Sequence, residues 1–247
     1  MRKERLIEYK ANKFREEHGL SPTEPVNLGH LLTRLNVITL FKEMGDNFSG
    51  MAVKNGYGHF MMINANDIIA RQRFTIGHEL YHLFIQEEFQ NRICFVGSFD
   101  KKDKEEYNAD WFSSYFLIPE DGIIEQSPEK ELKKDSITIS TVTKLEQYFG
   151  VSRSALLNRL KFLDLISSSY LEQLKDPGNI KRNALQMGYS TELYEPGNKN
   201  RFIGDYGLKA KQLLDKDLIS ESDFYSMMSD IGIDPDKNLV EDDKAAG

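Results

Sequence analysis

The stretch Arg73-Phe74-Thr75-Ile76-Gly77-His78-Glu79-Leu80-Tyr81-His82 decides how the rest of the chain is read. From about Asn66 to Phe89 the apolar residues follow a helical period, with Asn66 or Asp67 able to cap the start. On a helix His78 and His82 lie ~40° apart on one face, so both imidazoles reach the same cation. Glu79, turned ~100° from His78, stands beside that site and can take a proton from activated water without having to act as a ligand. Ile76, Leu80 and Leu83 fall on roughly the opposite face and give this helix a core side and a cleft side. The other histidines, His18, His30 and His59, are isolated and read as structural or solvent-facing.

A hydrolytic zinc site needs a third protein ligand and an open position for water. A second helical pattern, Lys104 to Leu117, stops before Pro119 and carries an apolar stripe of Ala109, Phe112 and Phe116 that Glu106 extends toward its start. Glu106 therefore points inward, where a cation would offset the desolvation of a buried carboxylate. Asp110 follows at i+4, a like-charge spacing that disfavours an isolated helix. The spacing makes sense if Glu106 binds metal and Asp110 accepts a hydrogen bond from a ligand histidine. The bland alternative is solvated acidic residues near a helix start. Glu87, Glu88 and Asp103 compete for the third-ligand role.

Upstream, Arg2 to about Glu17 reads as a charged amphipathic helix ending at Gly19, and Asn27 to Leu35 as a short second helix. Three β-type runs follow: Val37 to Phe41, Phe48 to Lys54 and His59 to Asn64. The last two flank Asn55-Gly56, a strong hairpin signal, so a small antiparallel or mixed sheet is expected. His59 to Asn64 is the candidate edge strand for gripping an extended peptide, or else a central strand. Asn91 to Asp103 reads as a loop, and Glu120 to Ser136 as a polar stretch suited to a boundary. Thr138 to Phe149, Gly150 and Ser152 to Leu163 have the outline of a helix-turn-helix. Lys144, Arg153, Arg159 and Lys161 exceed Glu146 and Asp164 by only two charges there, so packing or partner docking is favoured over DNA contact. Short helices are expected near Leu208–Leu214 and Ser222–Met228, with a polar tail from Asp236.

The 247 residues carry a net charge of −7, which argues against broad nonspecific nucleic-acid binding. A single cysteine, Cys94, excludes an intramolecular disulfide framework and a cysteine-rich zinc site, and it reads as a small core residue. No apolar run approaches the roughly 20 residues of a membrane-spanning helix. The start, MRKERLIEYK, has no secretory apolar region, so a cytoplasmic location is expected.

The decisive stretch, followed by Glu106-Tyr107-Asn108-Ala109-Asp110-Trp111-Phe112 and then Phe116-Leu117-Ile118-Pro119, resembles the ImmA/IrrE family of bacterial metallopeptidases. The family pattern runs R-F-T-x-A-H-E-L-G-H, then E-x-x-A-N-x-F-A, then L-x-M-P. The resemblance implies a zincin-like fold; with the reading of the residues it gives an α+β chain with a zincin-like catalytic core over residues 1–125, a helix-turn-helix-like segment over 126–175, and a small C-terminal region over 176–247 that opens with Asp176-Pro177-Gly178. It also implies His78, His82 and Glu106 as ligands and Glu79 as catalytic base of a metal-dependent endopeptidase. The implied cofactor is zinc, with manganese or iron as alternatives on such ligands. The implied substrate is a cognate helix-turn-helix repressor, controlling stress response, mobile-element transfer or phage defence. Departures from the pattern are Gly77 for alanine, Tyr81 for glycine, Asp110 for asparagine, Ser113 for alanine, and Phe116 and Ile118 for leucine and methionine; none removes a ligand. Tyr81 is expected to narrow the cleft or pack against the sheet. Two other readings stand beside this one: a DNA- or partner-binding regulator with a structural or sensory metal site, and a nonproteolytic hydrolase on the same scaffold.

Overall fold

The computed structural model describes residues 3–46, 48–56, 58–88, 92–94, 99 and 103–233. In chain order it runs α1 (Lys3–Glu17), α2 (Leu28–Arg34), β1 (Val37–Lys42), β2 (Gly50–Asn55), β3 (Gly58–Asn64), α3 (Ile69–Phe84), β4 (Arg92–Cys94), α4 (Lys104–Leu117) and α5 (Glu120–Gln126). Then come α6 (Ile139–Phe149), α7 (Arg153–Phe162), α8 (Ser168–Lys175), α9 (Ile180–Gln186), β5 (Phe202–Ile203), α10 (Tyr206–Asp215) and α11 (Glu221–Asp230).

The fold is α+β around a mixed five-stranded sheet of order β4-β2-β3-β1-β5. β2 and β3 form the expected antiparallel hairpin with Asn55 opposite Gly58, whereas β1 runs parallel to β3 with Val37 opposite His59. That pairing makes β3 an interior strand, so His59–Asn64 is not the exposed edge. The reason lies in its side chains: Met61 and Ile63 are fully buried, and both flanks of the strand are occupied by main-chain partners.

α3 packs on β2 and β3 through Ile76, Leu80 and Leu83, all buried as its period requires. The helix starts later than the sequence suggests. Its N-cap is Ile68, which makes no side-chain cap, because Asn66 and Asp67 precede the first helical turn. α4 lies between α3 and α1 and buries Phe112 and Phe116 against Phe14, with ring centroids 5.7–5.8 Å apart. Within the polar stretch after Pro119, α5 folds and buries Ile123.

The helix-turn-helix outline is realised in α6 and α7. Thr138 caps α6, Gly150 ends it at φ 66°, and Ser152 caps α7 by accepting from the Ala155 amide. Its arginines face inward. Arg153 pairs with Glu146, both buried, and Tyr194 donates to Glu146 Oε2 at 2.8 Å. Burial pushes the Glu146 carboxyl up, against the opposing hydrogen bonds and charge of Arg153. Arg159, also buried, donates to Glu8 Oε1 of α1 at 2.7 Å and to the Ile118 carbonyl at 3.1 Å. One hydrophobic cluster runs from Ile7 to Leu174 and includes residues of α1 through α8. α8 and α9 add helices that the sequence reading left unassigned, and α10 and α11 stand where short helices are expected; the region 201–235, read from the sequence as a small helical cap, begins instead with the strand β5, which pairs with β1. The polar tail from Asp236 lies outside the described residues.

Two departures from the family pattern meet at the α3–α4 contact. A Cβ on Gly77 would lie 2.5 Å from Ser113 Oγ and 3.2 Å from Ser113 Cβ, and Ser113 Oγ donates to the Phe74 carbonyl at 2.7 Å. The glycine thus makes room for the serine. Gly77→Ala is expected to destabilise the protein by about 1–3 kcal/mol in denaturant unfolding, overpacking outweighing the gain in helix propensity. Adding Ser113→Ala should recover a large part of that loss. Equal costs for Gly77→Ala in both backgrounds would show that the two positions are not coupled.

Candidate metal centre

α3 and α4 build the centre between them. α3 presents His78 and His82 one turn apart, both buried, and α4 contributes Glu106 from its first turn. Asp103, a competing ligand by sequence, is instead the N-cap of α4: its side chain accepts from the amides of Glu105 and Glu106 at 3.0 and 3.3 Å and so fixes the turn that carries Glu106. Glu87 and Glu88 are exposed beyond the end of α3. Among the described residues, His78, His82 and Glu106 form a metal-capable group whose donor atoms lie within 4.8 Å of one another.

The hydrogen bonds behind these donors set their chemistry. His78 Nδ1 is 2.9 Å from Asp110 Oδ1, and His82 Nδ1 is 2.5 Å from Gln86 Oε1. Facing oxygen acceptors, each Nδ1 carries the proton, which leaves each Nε2 with a lone pair in the neutral ring. Those lone pairs converge: the two Nε2 atoms are 3.1 Å apart, and Glu106 oxygens lie 3.2 Å from His78 Nε2 and 3.4 Å from His82 Nε2. Donor atoms of like polarity at this spacing need positive charge among them. A divalent ion or a proton on the imidazoles supplies it, and two nitrogens with one carboxylate are a donor set suited to zinc and similar ions. Burial acts to raise the Glu106 carboxyl, but with the imidazoles protonated and donating from Nε2, hydrogen bonds and charge from His78 and His82 prevail and hold it well below the usual carboxylate range.

Glu79 is fully buried on the next position of α3, facing the start of β2. A Cβ on Gly50 would stand 2.4 Å from Thr75 Cγ2, a clash, and 3.3 Å from Glu79 Oε1, a tight contact, so glycine lets β2 start against this face of α3. Asp110 bridges two elements: beyond its contact with His78, Oδ2 accepts the Phe99 amide at 2.7 Å. Tyr81 turns neither to the cleft nor to the sheet. It is buried against Phe112 on α4, with ring centroids 5.8 Å apart, and donates to Glu105 Oε2 at 2.6 Å. The reason is angular: on α3 that position faces α4, where an apolar ring and a hydroxyl acceptor are both available. Burial together with Glu105 pushes its phenol far above the usual range.

Sequence reasoning missed three participants. Gln86 continues the i, i+4 stripe of His78 and His82, a spacing that is visible in the chain. Gly50 and Phe99 come from segments distant in sequence and carried no local signal. Of the isolated histidines, His18 and His59 pack edgewise or tilted on Phe14 and Phe84, with burial lowering both imidazoles. The side chain of Cys94 lies outside the described residues.

With this geometry in hand, comparison with known families matches residues 33–161, just over half of the chain, to the IrrE N-terminal-like domain of the M78 peptidases. No curated protein matches the chain. The matched span runs from the end of α2 into α7 and contains every donor described above.

Glu106→Ala should remove most of the zinc retained after dialysis, read by atomic emission, and Asp110→Asn should weaken zinc affinity about 10–100-fold. Unchanged stoichiometry in Glu106→Ala would move the third donor elsewhere, and unchanged affinity in Asp110→Asn would make its contact with His78 incidental.

Proposed function

Because the chain belongs to the IrrE N-terminal-like family of M78 metallopeptidases, we propose that it is a zinc-dependent endopeptidase with His78, His82 and Glu106 as ligands and Glu79 as its base. Its proposed substrate is a helix-turn-helix transcriptional repressor, and its proposed role is regulatory: cleavage lifts repression in stress response, mobile-element transfer or phage defence. The substrate and role rest on the resemblance of the motifs to the ImmA/IrrE proteins. The chemistry rests on one observation above others: a buried carboxylate, Glu79, follows His78 on α3, the helix that carries two of the three donors. A structural or sensory metal site has no use for a base in that position.

A divalent cation bound by the three donors supplies Lewis acidity and brings the pKa of water into the neutral range. The residues of the chain do the rest. Glu79 accepts the proton of the attacking water on a carboxylate oxygen and delivers it to the departing amine nitrogen, so that one group serves first as base and then as acid. Asp110 and Gln86 hold the Nδ1 protons of His78 and His82, which keeps both Nε2 atoms in the ligating tautomer. Asp103 fixes the backbone of the turn that carries Glu106, and Gly50 lets the start of β2 lie beside Thr75 and Glu79.

The alternative of a DNA-binding regulator receives less support. Arg153 and Arg159, two of the four basic residues of the helix-turn-helix-like segment, are consumed in buried ion pairs and cannot reach phosphates without unfolding. No helix among the described residues is long and apolar enough to cross a membrane.

Glu79→Gln keeps the size and burial of the side chain but removes its basicity. It is expected to retain zinc at wild-type stoichiometry while losing about 10²–10⁴-fold in the rate of repressor cleavage, followed by gel electrophoresis and mass spectrometry of the fragments. Cleavage by the variant at the wild-type rate would defeat the enzymatic reading.

A further inference from the structure

α4 turns two stripes of side chains toward α3. Glu106, Asp110 and Ser113 make up one: the first two meet His78, and Ser113 meets the Phe74 carbonyl. Glu105, Asn108 and Phe112 make up the other, about 130° round the helix, and all three meet Tyr81. Its ring lies against Phe112, its hydroxyl donates to Glu105 Oε2 at 2.6 Å, and the Asn108 side chain hydrogen-bonds to the same hydroxyl.

The donors do not hold themselves in place. With neutral imidazoles and no cation, the Glu106 carboxylate faces two nitrogen lone pairs at 3.2 and 3.4 Å and is repelled by them. Glu106 also stands in the first turn of α4, where main-chain hydrogen bonding is least complete. The Asp103 cap sets the backbone of that turn, but it joins α4 only to the residue that leads into it and leaves the approach to α3 free. Tyr81 supplies the cross-link. Its hydroxyl fastens the residue just before His82 to the residue just before Glu106. Both carboxylate oxygens of Glu105 are engaged there, Oε1 lying 3.4 Å from Lys104 Nζ.

Resting on the assignment of His78, His82 and Glu106 as ligands, we propose that Tyr81 is a positioning residue of the metal centre: through Glu105 it fixes the rotation and approach of the first turn of α4, so that Glu106 is aimed at the histidine pair before the cation binds. Ligands ordered in advance bind more tightly because less ordering is left to the binding step. The Tyr81 ring adds a contact on the other side of the centre, standing edge-on to His82 with centroids 5.5 Å apart. Glycine, which the motif carries at this position, has no side chain with which to make either contact. The phenol is buried between the helices and acts on metal retention, not on the proton transfers of Glu79.

The test is Tyr81→Phe in the full chain, which keeps the ring against Phe112 and His82 and removes the hydroxyl. Zinc affinity, measured by competition with a chromophoric chelator, should fall about 10–100-fold, and the visible absorption of the cobalt-substituted protein, which reports the ligands around the ion, should change. Repressor cleavage lost by the variant at buffered low zinc should return at saturating zinc, a recovery that Glu79→Gln cannot show. Glu105→Ala removes a partly exposed side chain without a core defect and should reproduce the loss of affinity. Glu105→Gln, which keeps an acceptor oxygen, should recover most of it, and the Tyr81→Phe/Glu105→Ala double variant should bind no more weakly than the weaker single. Wild-type zinc affinity with an unchanged cobalt spectrum in either single variant overturns the positioning role, as do losses that simply add in the double variant; the three-ligand reading then stands as long as Glu106→Ala loses zinc. Zinc retained by Glu106→Ala overturns both.

Discussion

Three donor atoms of the same polarity, two imidazole nitrogens 3.1 Å apart and a carboxylate 3.2–3.4 Å from them, are forced together inside the protein by the packing of α3 on α4. Without positive charge among them this arrangement is repulsive and poorly solvated, because the fold has already stripped most of the water from the histidines. With a cation present the same atoms gain what they lost. The rest of the site follows from keeping that geometry in place: the Asp103 cap on the turn that carries Glu106, hydrogen-bond acceptors behind both imidazoles, and a glycine where β2 starts beside Thr75 and Glu79. The cost is carried by the surrounding contacts, as expected for a functional site that violates local stability rules.

The helix-turn-helix-like segment belongs to this scaffold rather than hanging from it. Arg73, the first residue of the decisive stretch, reaches out of α3 to the end of α6, where it donates to the carbonyls of Gly150 and Phe149 at 2.9 and 3.3 Å and to that of Val26 at 3.2 Å. It thereby satisfies carbonyls that the end of α6 leaves open and positions the metal-bearing helix against the following segment. Arg159 performs the equivalent service from α7, gripping α1 and the end of α4. Arg153 and Arg159, two of the four basic residues of that segment, are therefore internal fasteners, the packing use that its small basic excess favours. A basic count alone does not separate the two uses; burial does.

Legibility in the sequence followed the range of the interactions. His78, His82 and the inward face of Glu106 were readable because helical spacing alone brings them to one side of their helices, and Glu79 because the next position on α3 stands beside that side. Asp110 was readable through a like-charge spacing that needs a reason, and α6 and α7 through their caps. What was not readable depends on partners far along the chain. The placement of β3 inside the sheet required knowing that β1 returns parallel to it, and the orientation of Tyr81 required knowing that Glu105 and Phe112 face it. The late start of α3 has a local cause that the sequence hides: Asn66 and Asp67 look like caps, yet the Asn66 side chain is engaged with the Met44 carbonyl and Asp67 with Arg71. Gly77 and Ser113 each look like an unexplained substitution, and become intelligible only as a pair in contact across two helices.

The central claim, one cation shared by two histidines and a carboxylate from the neighbouring helix, is tested most directly by a crystal structure of the zinc-loaded protein with anomalous scattering collected at the zinc edge. The account predicts a single strong anomalous peak about 2.0–2.2 Å from His78 Nε2, His82 Nε2 and a Glu106 oxygen, with Glu79 beside it but outside the coordination sphere. A peak away from the histidine pair, or one coordinated by Glu79 in place of Glu106, would contradict it.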